Sequence, residues 1–233
     1  MKHRGVIVAA VLVGTVIFVA SRPQAEDRKS SWIPVFFNSG ECDGAAADVS
    51  GSKARLAWDG SDHVTIAVPA KSRWRRGEGA DVVLHGNEDD LERIRLEKGT
   101  LKVCGDLDNE VEIVLPGITF DKVTIAGAGE LTMRAVDQAA LELIIAGAGK
   151  MEADGTSESV KVTIAGAGET NLGKLATKRL KLTITGAGEA QAAPEEDADV
   201  TVVGAGNVDL LKRPKHHDFD VIGAGDIKMP DHT

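Results

Sequence analysis

The chain has 233 residues, 42% of them hydrophobic, and a formal charge of −9, enough apolar material for one sizeable core or two small ones. The acidic balance leaves no dominant Lys/Arg surface, which argues against nucleic acid as a partner. Tyr is absent, and 3 Trp and 5 Phe are too few for repeated aromatic platforms that stack sugars or bases.

In chain order, Lys2, His3 and Arg4 precede the apolar run Gly5 to Ala20, and Ser21-Arg22-Pro23 follows. This is the basic and hydrophobic pair of regions of an export signal, so residues 1–25 are expected to be a signal helix. As a helix the run spans about 24 Å, short of the roughly 30 Å hydrocarbon core, which favours a cleaved leader over a permanent anchor. Cleavage after Ser21 puts Val19 at −3 and cleavage after Ala25 puts Pro23 there; neither is ideal, so an uncleaved inner-membrane anchor stays open as the alternative. Both readings place the protein outside the cytoplasm, in the periplasm or cell envelope, with membrane contact only through the N-terminal helix if it is retained.

Residues 26–59 read as a linker and cap segment. Cys42 and Cys104 lie in the exported part, where the compartment permits a disulfide. A bridge would close a loop of about 60 residues and contribute about 4 kcal/mol by the chain-entropy relation; the alternative is two unrelated buried thiols. Residues 64–68, 81–84, 101–103 and 111–115 look like short strands and are expected to form irregular first coils and a cap.

Gly-Ala-Gly then occurs six times, with paired glycines at Gly127/Gly129, Gly147/Gly149, Gly166/Gly168, Gly186/Gly188, Gly204/Gly206 and Gly223/Gly225. The spacing of 18 to 20 residues is the signature of a stacked repeat. Two positions before each triplet stand Ile125, Ile145, Ile164, Ile184, Val202 and Val221, and four before stand Val123, Leu143, Val162, Leu182, Val200 and Phe219. The position between them holds Thr124, Ile144, Thr163, Thr183, Thr201 and Asp220, a row expected to face outward. After the second glycine, alternation resumes at Leu131, Met151, Thr170, Ala190, Val208 and Ile227. Each unit therefore reads as strand, glycine corner, strand and a short polar return such as residues 154–157 or 194–197, with no room for a helix. Such a unit cannot bury its own apolar face, but copies stacked about 4.8 Å apart form continuous aliphatic ladders. The expected fold is all-β: a right-handed parallel β-helix over residues 60–230, regular over 119–230. All twelve triplet glycines are expected to be turn residues, at corners that require positive φ or close backbone approach.

The remaining motifs offer little patterned chemistry. Residues 221–225 imitate the start of a dinucleotide fingerprint, but a third glycine and a following helix to hold the pyrophosphate are missing. The paired His216 and His217 lie in a polar loop without further ligands for a metal, and residues 106–110 lack the spacing and central glycine of a calcium loop, so they read as a turn. Immediately after the triplets come Glu130, Lys150, Glu169, Glu189, Asn207 and Asp226. This mixed row is a solvated edge, with Glu130, Glu169, Glu189 and Asp226 as its possible ligand-facing acids and a weak cation site as the competing reading. No cofactor is expected, and no set of Ser or Cys with His and carboxylate stands out for nucleophilic catalysis.

The repeated Ile/Val-x-Gly-Ala-Gly units, preceded by Leu115-Pro116-Gly117, resemble the family described as "putative auto-transporter adhesin, head GIN domain" (DUF2807), over about residues 60–229. The resemblance implies an exported right-handed β-helix whose adhesin label is itself an inference, with no catalytic residue to carry over. The expected function is a non-catalytic envelope module for binding, adhesion or scaffolding, its partner an envelope protein or glycan. A polysaccharide-acting β-helix enzyme and a membrane-held sensory domain are the competing classes.

Overall fold

A computed structural model describes residues 42–231 and, before them, the backbone of Ile7–Leu12 and Thr15–Ala20. The chain divides into two units, Met1–Gly40 and Glu41–Thr233. In the first, the two described segments are strands paired antiparallel, with Val8 opposite Val19. The helix expected over residues 1–25 is not confirmed: the two segments described there are extended. The candidate cleavage sites at Ser21 and Ala25 lie outside the described residues.

The second unit is a β-solenoid of about 5 turns with a mixed sheet. Its body is formed by long strands that each travel around the coil: Glu130–Gly147, Lys150–Gly166, Glu169–Gly186 and Glu189–Gly204. Each pairs in parallel with the next, so that Gly127, Gly147, Gly166, Gly186, Gly204 and Gly223 lie in one row. Inward rows run the length of the stack. Ile125, Ile145, Ile164, Ile184 and Val202 are at most 1% exposed, as are Val123, Leu143, Val162, Leu182 and Val200. Each such side chain contributes about 1.5–3 kcal/mol by leaving water, which is what holds the coils in register.

The two glycines of a triplet divide the two requirements expected at the corner, positive φ and close approach, between them. The first has positive φ, +128° at Gly166, which turns the chain and aims its carbonyl along the stack. A Cβ at Gly166 would strike the carbonyl oxygen of Gly147, the same oxygen that accepts the Ala167 N–H at 2.9 Å. The second glycine is not a left-handed turn residue. None of Gly129, Gly149, Gly168, Gly188, Gly206 and Gly225 has positive φ, and the first five of these are buried.

What excludes a side chain at the second glycine is the coil beneath it. A Cβ at Gly149, Gly168, Gly188 or Gly206 would lie 2.5–2.7 Å from Cγ2 of Ile125, Ile145, Ile164 or Ile184 respectively, and one at Gly225 would meet Val202 Cγ1 in the same way. At Gly129, where the coil below has no triplet, the obstacle is the carbonyl oxygen of Val68, 2.9 Å from such a Cβ. One glycine is therefore required by backbone conformation and the other by packing.

The polar returns expected between strands are instead a third wall of the coil, continuous with the long strands. Gln138, Ser157, Thr177 and Pro194 stack in register, and Ser157 and Thr177 are buried. Polar residues are tolerated there because each bonds locally. Gln138 Nε2 donates to Ala140 O (2.6 Å), Ser157 Oγ to Ser159 O (3.1 Å) and Thr177 Oγ1 to Arg179 O (3.1 Å), which removes the cost of an unpaired buried group. The bend leading into this wall is made at Ala135 (φ 56°) and Gly155 (φ 121°). Asp154 fixes it by accepting from Arg134 Nη1 (2.5 Å) and from the Ala135 N–H (2.8 Å). The Thr row also departs from expectation at one end: Thr124 is buried, while Thr163, Thr183 and Thr201 are half-buried.

The first coil is made by His63–Ala67 and Lys71–Arg75, which pair in parallel with Lys122–Gly127 and Glu130–Gly147. Between its second strand and Lys122 the chain inserts antiparallel pairs, including Val82–His85 with Glu112–Val114 and Ile94–Glu97 with Thr100–Val103, and one helical turn, Glu88–Leu91. With Lys53–Leu56 pairing onto Val82–His85, these cap the head of the stack. Trp74 and Phe120 are fully buried there, and Trp74 Nε1 donates to Ile118 O at 3.0 Å. Cys42 and Cys104 are joined by a disulfide with Cα atoms 5.9 Å apart, tying the start of the unit to this cap. Among the described residues no helix is long and apolar enough to cross a membrane.

Gly166→Val is expected to destabilise the protein by about 1–3 kcal/mol through backbone strain alone, with the clash adding to that; an unchanged denaturation midpoint would contradict the corner geometry. Reduction of the disulfide, 62 residues across, is expected to lower stability by about 4 kcal/mol, read from denaturant curves with and without reductant. Quantitative thiol labelling of the non-reduced, denatured protein would show that no bridge forms.

Candidate functional site

The row that follows the corners is in register. Lys71, Glu130, Lys150, Glu169, Glu189, Asn207 and Asp226 are successive neighbours along one edge of the stack. The signs alternate at the head end. Lys150 Nζ lies 3.2 Å from Glu169 and 3.9 Å from Glu152, and the hydrogen bond and charge of Glu169 raise its pKa above the ordinary lysine value. Lys71 pairs with Glu110 and is raised for the same reason. Only between Glu169 and Glu189 do two acids meet directly, at the strand spacing of about 4.8 Å.

Two residues further along each strand stands a second outward row, Asn171, Gln191, Asp209 and Lys228. The two rows wall a shallow trough of about 320 Å³ whose floor is the strand backbone at Thr170, Ala190 and Val208. Gln191 Nε2 and Asp209 Oδ2 lie 3.4 Å apart across adjacent coils. The trough runs along the stack, and four coils each supply the same two positions. Carboxylates and carboxamides open to solvent can accept from and donate to hydroxyl or amide groups of an extended ligand. They lack the apolar enclosure in which a carboxyl is held protonated as a general acid.

The other residues singled out above lie apart from the trough. Gly223 and Gly225 are followed by the strand Asp226–Lys228 rather than a helix, so no helix N-terminus is offered to a phosphate. His216 Nδ1 sits 3.2 Å from Asp197 Oδ1, while His217 packs on Phe219 with ring centroids 5.0 Å apart; adjacent on one strand, the two rings serve opposite faces. Among the described residues no group of three or more potential metal ligands converges.

Residues 106–110 wrap around a centre that sequence reasoning missed. Asp90 is fully buried and accepts from the Asp108 N–H (2.9 Å), the Asn109 N–H (3.0 Å) and Asn109 Nδ2 (2.9 Å), with Arg93 3.7 Å away. These donors, the Asp108 amide first, hold its pKa below the ordinary carboxylate value. Asn87, whose side chain accepts from the Asp89 N–H at 3.0 Å, starts the helical turn that presents Asp90. An Asn followed by three acids is a helix-start signal and was the clue available in the sequence.

Against known proteins, residues 106–214 match the model of the family described as "Putative auto-transporter adhesin, head GIN domain", DUF2807. Over these residues the chain is similar to that family. The match is narrower at both ends than the resemblance over residues 60–229. No curated protein matches the chain. Among solved structures, a putative adhesin from Bacteroides fragilis NCTC 9343 superposes with a TM-score of 0.56 at 16% identity, covering 76% of this chain and 96% of that one. At that identity the likeness concerns the fold. A putative lipid binding protein from Parabacteroides distasonis ATCC 8503 superposes more loosely, with a TM-score of 0.47 at 12% identity over 81% of this chain and all of that one, and carries no functional weight.

Asp90→Asn is expected to lower the unfolding midpoint at neutral pH. A carboxylate whose folded pKa is depressed contributes stability above its unfolded pKa of about 3.9 and loses it as pH falls through the folded value. The deficit of the variant should therefore be full near pH 7 and shrink below about pH 4. Melts of both proteins across that range check it; a deficit independent of pH would assign Asp90 a purely steric role.

Proposed function

We propose that the protein is an exported, non-catalytic binding module whose β-solenoid displays the polar trough between the Glu169 and Asn171 rows to an extended, hydroxyl-rich ligand of the cell envelope, a glycan by preference. The single observation that carries this reading is repetition. Glu169/Asn171, Glu189/Gln191, Asn207/Asp209 and Asp226/Lys228 place the same pair of positions on four successive coils. A polymer laid along the stack meets one contact set per coil. Affinity then comes from many weak solvent-exposed hydrogen bonds acting together rather than from one enclosed pocket.

The family description and the adhesin-like fold support a binding role, and the apolar run at residues 5–20 with its basic flank supports export to the periplasm or envelope. Right-handed coils, the hand favoured for parallel crossovers, complete the reading. The enzyme alternative has one foothold, the adjacent Glu169 and Glu189. A glycoside hydrolase needs one carboxyl held protonated in an apolar site, whereas the Glu169 side chain is 49% exposed beside Lys150.

The test is binding of the full chain to isolated envelope glycans by calorimetry, with product analysis of the same mixtures. Asn207→Ala combined with Gln191→Ala is expected to weaken binding about tenfold or more, the equivalent of about 1.4 kcal/mol, with an unchanged unfolding midpoint and no shortening of the glycan. Undiminished binding would move the site elsewhere. Cleavage that disappears in Glu169→Gln or Glu189→Gln would replace the binding reading with the enzymatic one.

A further inference from the structure

The two ends of the stack are built differently. At the head, the antiparallel strands and the Glu88–Leu91 turn cover the first coil. At the tail, His216–Gly223 pairs on one side with Glu189–Gly204, and among the described residues nothing pairs with its other side. The inward rows end unfinished there. Val221 is 40% exposed, although its row-mates Ile184 and Val202 are fully buried, and the large apolar residues that are exposed, Val203, Leu211, Val221 and Ile222, all belong to the last two coils. A strand with free backbone donors and acceptors beside an open apolar core is a template for one more strand.

The charges on that strand specify what kind. One outward row of the stack reads Lys122, Glu142, Lys161, Lys181, Asp199 and Asp218. Within it Lys161 bonds Glu142 at 2.8 Å and Lys181 bonds Asp199 at 2.7 Å. The row then ends on Asp218, which stands beside Asp199 and makes no ion pair among the described residues. The next outward row ends on Asp220, where Thr201, Thr183 and Thr163 precede it. A second copy meeting tail to tail would place these acids against each other in the registers that overlap the two strands most fully, which disfavours it.

We infer that the tail edge His216–Gly223 is a strand-acceptor site for an extended peptide segment that alternates cationic and aliphatic residues. Its Lys or Arg side chains lie beside Asp218 and Asp220, and its aliphatic side chains close the core over Phe219 and Val221. Backbone hydrogen bonds supply affinity, and the two acids supply the choice of partner. This site is distinct from the trough and does not depend on the glycan reading.

The experiment uses the full chain with a labelled synthetic peptide, Thr-Lys-Val-Lys-Val-Thr, a Glu-for-Lys counterpart and a Lys-Lys-Val-Val scramble. Fluorescence anisotropy measures binding, and hydrogen exchange locates it. The alternating Lys peptide is expected to bind at least tenfold more tightly than either control, to weaken in high salt, and to slow exchange of the amides in residues 216–223. Asp218→Lys with Asp220→Lys should invert the preference toward the Glu peptide. If that variant fails to fold, Asp218→Asn with Asp220→Asn should abolish the preference. Equal binding of the Lys and Glu peptides, protection elsewhere in the chain, or concentration-dependent self-association that protects 216–223 without peptide would each overturn the proposal, the last in favour of a second copy.

Discussion

The close approach of successive corner backbones is the constraint on which the rest of the structure depends. At each Gly-Ala-Gly triplet but the last, the carbonyl of the first glycine accepts the alanine N–H of the following coil, as Gly147 O does from Ala167 and Gly166 O from Ala187, both at 2.9 Å. From the second corner onward there is no room for a side chain at either glycine; Gly127, with no triplet beneath it, is held to glycine by its φ of +111° instead. Because the corners superimpose, the residues two and four positions before them superimpose too, and Ile, Val and Leu stack upon their own kind. The aliphatic core follows from the corner, and its repetition makes stability a sum of neighbour contacts. A chain without Tyr and with few other aromatics can therefore still bury a continuous interior.

Much of this was legible in the sequence because it is periodic. The triplets and the alternation before Gly127, Gly147 and Gly166 by themselves specify a stack of strands. The spacing alone does not separate the turning glycine from the packed one: Gly147 and Gly149 carry the same letter, and only the neighbouring coil reveals that the second is buried over Ile125. Also hidden is where a local polar pattern is overruled by closure of the coil. Residues 154–157 and 194–197 look like solvated returns, yet Ser157 and Pro194 are buried, because a coil must have a third wall and a hydroxyl can be buried when a carbonyl two residues away accepts its hydrogen bond. Asp90 escaped notice for a related reason: a carboxylate among other acids looks solvated unless the backbone donors of a distant loop are known to meet it. The trough was half legible. The edge from Glu130 to Asp226 could be read from its spacing, but the second wall, Asn171 to Lys228, carries mixed residue types with no repeated letter to mark it.

Regular stacking also decides how charge is handled. Identical positions lie about 4.8 Å apart, so a repeat copied without variation would stack like charges along a whole edge. The chain avoids this by interleaving signs: Lys150 separates Glu130 from Glu169, and Lys161 follows Glu142. Like charges adjoin at Lys161 beside Lys181, at Glu169 beside Glu189 and at Asp199 beside Asp218. Of these acids Glu169 and Asp199 are paired with Lys150 and Lys181, which leaves Glu189 and Asp218 as the members without an ion pair among the described residues, on surfaces open to solvent.

Native-state hydrogen exchange of the unliganded full chain tests the central claim most directly. The account predicts that the corner amides of Ala148, Ala167, Ala187 and Ala205, which donate to the glycine carbonyls of the preceding coil, exchange only through unfolding of the stack, with protection decreasing toward Ala224 at the open tail. Exchange of these alanine amides at the rate of an unstructured peptide, while the flanking strands stay protected, would contradict it.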